Sequence, residues 1–160
     1  MIGKQLPESK VYEKGLLFWP YRASQQLVLD KIAELAPHGG CLLDIMCGPG
    51  NLLGRIVAIR PDLKLVGVDK KPQYTQYISK KYPEIISIWG DVLHWHPASP
   101  FDIVVCTGAL HHLLYNLQEN AIDNPLSARY STKSKNISIF IDYNQSSTYP
   151  IQGETNEKSS

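Results

Sequence analysis

The residues able to do chemistry fall in four short stretches. Asp44 closes an apolar run and stands just before a turn, Met46 to Gly50, that contains Gly48-Pro49-Gly50. Glycines after a strand let the backbone come close to a ligand, and the helix that follows presents unpaired N–H groups to it. Asp69 ends a second apolar run, where an acid can take both hydroxyls of a ribose. Asp91 follows Gly90 after a third run, and Thr107-Gly108-Ala109 follows a fourth. With Gly54 one residue late, the glycines match the dinucleotide pattern G-x-G-x-x-G only loosely. Joined to Asp69 they describe a nucleoside site without naming the nucleoside.

The charge of Asp44 narrows the ligand. A carboxylate at the mouth of the turn repels a pyrophosphate, which opposes NAD or FAD. It favours a ligand that presents positive charge and no phosphate. Opposite unit charges about 4 Å apart attract by roughly 4 kcal/mol at an effective dielectric near 20, before desolvation is subtracted. Other reactive side chains have plainer readings. His94 and His96 flank Trp95, and His111 precedes His112, but neither pair has Cys or acid partners at tetrahedral spacing, so no metal is expected. Cys47 stands at a helix N-terminus, a place that can lower a thiol pKa, yet it is better explained as a small packed residue.

These residues need strands and helices in alternation to bring them together. A helical period starts at Ser24, with Leu27, Ile32, Leu35 and Ala36 on one face, and Pro37 and Gly39-Gly40 stop it. Residues 1–20 read as an irregular lead-in with breaks at Pro7 and Pro20. A buried strand over 41–45 then leads into the glycine turn and a helix closed by Arg60-Pro61-Asp62. Strand 63–69 precedes a helix with Pro72 in its first turn and Pro83 at its end. Strands follow at 85–91 and 101–106, separated by a Trp/His/Pro-rich loop at 93–100. Asn116 to Glu119 resembles a capping box for a short helix, and 136–142 is a last strand whose alternation reads as half-exposed.

The pattern predicts one α/β domain over 21–142, a mainly parallel sheet of about five strands with helices on both faces. Its first four strands are apolar enough to be covered on both sides. Residues 143–160 are polar and poor in aliphatics, and read as an unstructured tail.

Composition sets the outer limits. A chain of 160 residues suits one domain with a real core. A net charge of +1 gives no support for bulk electrostatic attachment to nucleic acid. The polar start, MIGKQLPESKVYEKG, predicts neither signal peptide nor anchor, and the apolar runs are too short to span a membrane. Three cysteines in apolar runs or the turn predict free thiols and a cytoplasmic location.

Four stretches in order, LLDIMCGPGNL, VGVDKK, WGDVL and FDIVVCTGALHHL, resemble the successive motifs of the class I S-adenosylmethionine-dependent methyltransferases. The resemblance runs from about Trp19 to Ile122. It implies a Rossmann-like three-layer sandwich and S-adenosyl-L-methionine as cofactor. Carried over by position, Asp44, Met46, Gly48 and Gly50 hold the methionine part and Asp69 the ribose, with Lys70 beside it. Asp91 and Val92 hold the adenine, and Thr107 and Gly108 line the floor beneath the methyl group, with Ala109 next. The family usually has glycine where this chain has Met46. Family members also finish with two further strands that this sequence lacks, which leaves an open sheet edge for a partner or for self-association.

The function implied is methyl transfer to a small-molecule acceptor by in-line displacement. His111 or His112, just past the fourth strand, can act as general base. The stretch CTGALHHL lacks the Asn/Asp-Pro-Pro-aromatic run typical of amino-methyltransferases acting on bases, so nucleic acid is not the expected acceptor. Three other readings stay open on the sequence. One is a cofactor-binding module that is inactive or completed by another chain. Another is an NAD(P)-binding oxidoreductase domain, opposed by Asp44. The last is a structural domain with no ligand.

Overall fold

The computed structural model describes residues 19–109 and 137–141, with only the backbone at 19–21 and 137–141. Elements follow in the order α1 (Trp19–Leu35), β1 (Cys41–Ile45), α2 (Asn51–Ile59), β2 (Lys64–Asp69), α3 (Pro72–Lys81), β3 (Ile86–Trp89), β4 (Ile103–Thr107) and β5 (Ile137–Ile141). The strands form one sheet in the order β3-β2-β1-β4-β5. Every pairing is parallel: Leu43 lies opposite Val66 and Val104, and Val105 opposite Ile139. The order reverses beside β1, since β2 lies on one side of it and β4 on the other. A doubly wound sheet binds its ligand outside the C-terminal strand ends at such a switch point.

Alternation along each strand sorts the core into two faces. Leu42, Leu65, Ile103 and Val105 pack with Val28 and Ile32 of α1, Leu53 and Ile56 of α2, and Ile78 of α3. Leu43, Ile45, Val66, Val68, Val104 and Cys106 point the other way, against Val92, Leu93, Trp95 and Phe101. Ile32, Leu53 and Ile56 are fully buried, each worth about 1.5–3 kcal/mol relative to exposure. Asp44 falls in phase with Leu42 and so belongs to the face covered by α1 and α2.

The connections are fixed by polar groups that the sequence supplies beside them. Arg60 caps the end of α2, donates to the carbonyls of Ala36 and Pro37, and pairs with Asp62 at 2.8 Å. The bond to Arg60 and a second from the Gly39 amide hold the Asp62 carboxyl well below the usual range. Asp102 accepts from the Cys41 amide at 2.8 Å and so latches the starts of β1 and β4 together. Pro72 opens α3, and the chain leaves that helix at Tyr82, before Pro83.

Two expectations need correction. The helix is already running at Pro20, where the sequence pattern places a break, and ahead of Ser24. A proline is tolerated in a first helical turn, because the N–H it lacks has no intrahelical acceptor there. The third strand is not covered on both sides either. It forms an edge of the sheet, and Ile86 and Trp89 are 60% and 70% exposed. Apolar composition alone does not separate a central strand from an edge one. Ser87, between them in sequence, donates to the Thr75 carbonyl and holds the strand to α3.

Among the described residues no helix is long and apolar enough to cross a membrane. The capping pattern at 116–119, the lead-in at 1–18 and the tail at 143–160 lie outside the described residues. None of Cys41, Cys47 and Cys106 is joined in a disulfide.

Candidate functional site

A cavity of about 490 Å³ opens at the C-terminal ends of β1, β2, β3 and β4. That volume lies within the ordinary range for small-ligand sites, about 300–1,000 Å³. Asp44, Met46, Gly48, Asp69, Lys70, Asp91, Val92, Thr107, Gly108 and Ala109 all line it. Residues scattered over much of the sequence therefore converge as their motifs require. Gly50 does not line the cavity. It is the N-cap of α2 in the left-handed region (φ 77°), and a Cβ there would stand 2.8 Å from Ile78 Cγ1. Its role is to turn the chain and let α2 pack on α3. Gly48, also left-handed (φ 54°), has nothing within 4 Å of a Cβ position, so the space beside it is open. Gly54 serves packing, since a Cβ there would meet the Tyr82 ring at 2.5 Å.

Met46 adopts φ 58°, the only positive φ at a non-glycine position among the described residues. This accounts for the glycine usual in the family there: the backbone is left-handed, and a side chain costs energy. The methionine offsets part of that cost by packing against the Val66–Val104 face of the core.

Asp44 is 1% exposed, and its Oδ1 has no hydrogen-bond partner among the described residues. Burial pushes its pKa well above the usual carboxylate range, and the nearby Asp69 adds to the shift. A buried carboxylate oxygen without a donor is costly, and it lines a cavity. Asp69 is arranged differently. Its Oδ2 accepts from the Gly48 amide and its Oδ1 from the Lys71 amide, both at 2.9 Å. Each oxygen keeps a lone pair for a hydroxyl, while the carboxylate also sets the shape of the glycine turn.

Asp91 is exposed and organises the next loop. Its Oδ1 accepts from the Leu93 amide, and its carbonyl takes the amides of His94 and Trp95. Cys47 also borders the cavity. Burial, then Asp44 and Asp69, push its thiol well up, so the helix N-terminus does not activate it. His94 and His96 are exposed on their loop. Among the described residues no three His, Cys, Asp or Glu side chains gather as metal ligands. His111 and His112 lie outside the described residues.

Two lining residues had no motif to announce them: Gln25 reaches the cavity from α1 and Tyr74 from α3, while Asn51, Leu52 and Lys71, at the ends of two motifs, also line it. The ammonium of Lys71 lies 5.1 Å from the centroid of the Tyr74 ring. A polar residue within a helix carries no sequence mark of facing a ligand, so only the packing of α1 against α2 reveals Gln25.

A parallel sheet in this order, a glycine turn after β1 and acids near the ends of β1 and β2 and just past β3 define a Rossmann-like nucleoside-binding domain. The sequence matches the methyltransferase domain family over residues 42–126, more than half of the chain. The chain belongs to that family, the class I S-adenosylmethionine-dependent methyltransferases.

A trans-aconitate 2-methyltransferase of Klebsiella pneumoniae (strain 342) is 29% identical over 86 residues, which are 54% of this chain and 33% of that protein. The chain thus spans about a third of the length of this curated relative. A solved TehB-like methyltransferase from Corynebacterium glutamicum superposes with a TM-score of 0.51 at 22% identity, covering 66% of this chain and 57% of the other. An amino pentose methyltransferase from Micromonospora echinaspora, solved with S-adenosylmethionine bound, gives 0.50 at 22% identity and covers 64% and 42%. These likenesses establish the fold.

Proposed function

We propose that this chain binds S-adenosylmethionine in the cavity and transfers its methyl group to a small-molecule acceptor. The observation that carries the reading is the orphaned Asp44 Oδ1, a buried carboxyl oxygen that lines the cavity and has no partner among the described residues. An α-ammonium satisfies that oxygen, whereas a pyrophosphate would add a like charge beside Asp44 and Asp69. The cofactor supplies an activated methyl on sulfur, displaced in line by the acceptor's nucleophile.

The residues of the chain bind, orient and exclude water. Asp44 takes the ammonium, and the open space beside Gly48 admits the methionine chain. Asp69 keeps a lone pair on each oxygen for the ribose hydroxyls. Asp91 and Val92 hold the adenine, with Lys70 at the rim. Met46, Thr107 and Gly108 close the floor near the reacting carbon, so that proximity and alignment do most of the work. His111 or His112 serves as general base for a hydroxyl acceptor. Turnover unchanged across pH after both are replaced with Asn would remove that role. The open sheet edge is a place for a partner or a second copy, and the protein works in the cytoplasm.

Calorimetry with S-adenosylhomocysteine beside NADH tests the reading. Saturable binding of the first and none of the second is expected. The reverse would establish the oxidoreductase alternative.

A further inference from the structure

The edge of the sheet at β3 is unlike an edge that stays bare. Edge strands are usually guarded by lysine, proline or another charge, because their outward N–H and C=O groups template a further strand. From Ile85 to Gly90 this chain has none of these guards. It exposes Ile86 at 60% and Trp89 at 70% instead, and neither side chain lines the cavity. The ladder fixes which backbone groups face outward. The Gly90 amide donates to the Asp69 carbonyl, so Gly90, Ile88 and Ile86 turn their backbone toward β2, and Ser87 and Trp89 turn theirs away. Ile85, next in the outward phase, already spends its amide on the Tyr82 carbonyl. Between Ile85 and Gly90, only Ser87 and Trp89 therefore offer both an outward donor and an outward acceptor.

We propose that this edge pairs with β3 of a second copy of the chain, antiparallel about a two-fold axis, with Ser87 opposite the partner's Trp89. In that register Ser87 and Trp89 exchange both bonds across the interface, and each of their outward groups is satisfied. Placing Ser87 opposite itself would instead set Trp89 against Ile85, whose amide is taken. The faces match as well. Ile86 and Ile88 lie in phase with Val66 and Val68, while Trp89 lies in phase with Ser87, whose hydroxyl rests on the Thr75 carbonyl of α3. A two-fold axis perpendicular to the sheet keeps those faces together. It sets Ile86 against Gly90, Trp89 against Ser87, and Ile88 against its own copy, so large residues meet small ones on both faces. Charge favours the antiparallel sense. Lys80 and Lys81 close α3 beside the start of β3 and outnumber Glu84 there. Asp69 and Asp91 stand at its finish beside Lys70, and Lys71 is turned onto the Tyr74 ring. The two-fold brings these unlike ends together. The exposed parts of Trp89 and Ile86 offer roughly 250 Å² per copy, which places the pairing among weak, concentration-dependent associations and not obligate dimers. The proposal is independent of the cofactor reading and concerns the edge opposite β5.

Sedimentation velocity on the intact chain, from micromolar to millimolar protein, reads the association, and oxidative cross-linking reads the register. The wild type should move from monomer toward dimer as concentration rises. Ile86→Lys places a guard charge on the strand, and Trp89→Ala removes the largest exposed side chain; each should weaken dimerisation by about tenfold or more. Ile88→Cys should form a disulfide between copies, because residues facing each other in a non-hydrogen-bonded pair have Cα atoms about 4.5 Å apart, within disulfide reach. Ile86→Cys, opposite Gly90, should not cross-link above the background set by the native cysteines. Unfolding midpoints show which variants are folded, and the two exposed-residue variants keep the test decisive if Ile88→Cys is not. A chain that stays monomeric throughout would overturn the proposal and leave the edge to a different protein. Dimers that persist in both Ile86→Lys and Trp89→Ala would sink it by placing association on another surface. Cross-linking through Ser87→Cys in place of Ile88→Cys would refute the register.

Discussion

Replacing Asp44 with Asn should move stability and binding in opposite directions. The carboxylate is buried, one oxygen lacks a partner, and its pKa is raised chiefly by desolvation and then by Asp69. A raised folded pKa means that the native protein holds the proton more tightly than the unfolded chain. Stability from this group is therefore full below its ordinary value near 3.9, and is lost as pH rises through the raised value. The ligand-free Asp44→Asn protein should lack that decline and gain at least about 1 kcal/mol at neutral pH, because no buried carboxyl is left whose ionisation burial opposes. Its affinity for S-adenosylhomocysteine should fall by about 1.5–3 kcal/mol, the worth of a hydrogen bond between charged groups. Urea titrations from pH 4 to 8 read the first effect and calorimetry the second. Binding to the wild type below the raised pKa should release a proton, seen as a heat that varies with the buffer. A variant that is less stable at neutral pH yet binds as well as the wild type would refute the reasoning.

Further predictions rest on single positions. Gly50→Ala should cost about 2 kcal/mol or more in urea unfolding, from left-handed strain plus the clash with Ile78. Gly48→Ala should cost only about 1 kcal/mol of stability, and should instead weaken S-adenosylhomocysteine in calorimetry by intruding on open space. At Met46, with φ 58°, a β-branched Val should destabilise by about 1–3 kcal/mol while Gly is tolerated, again read by urea midpoint. Alkylation of Cys47 by iodoacetamide, followed by peptide mass, should be slow in the wild type and faster in Asp44→Asn, because one of the charges that raise its pKa is removed.

Much of this site could be read from the chain because its chemistry is written next to its strands. Asp44, Gly48, Asp69, Asp91 and Thr107 each follow an apolar run, and a parallel sheet gathers the ends of such runs at one rim. The ends of β1 and β2 were legible to within a residue for the same reason. What escaped depends on contacts between elements. The edge position of β3 is set by strand order, which apolar composition does not encode. Gln25 enters the cavity only because α1 packs beside α2 and Arg55 reaches back to it. At Gly50 the sequence does not announce the packing neighbour, Ile78, that a Cβ there would meet. Pro20 looked like a stop, but a proline reads the same in a loop and in a helix's opening turn.

The double duty of Asp69 has a consequence for how such a site can diverge. Its carboxylate ties the Gly48 and Lys71 amides, so the loops after β1 and β2 hang on one side chain. Under the ribose role proposed for Asp69, exchanging it to accept a different sugar would also release the bend after β1. Drift in nucleoside preference is therefore barred at this position unless another residue first takes over the two amides. Variation in what the domain acts on is left to the far side of the cavity.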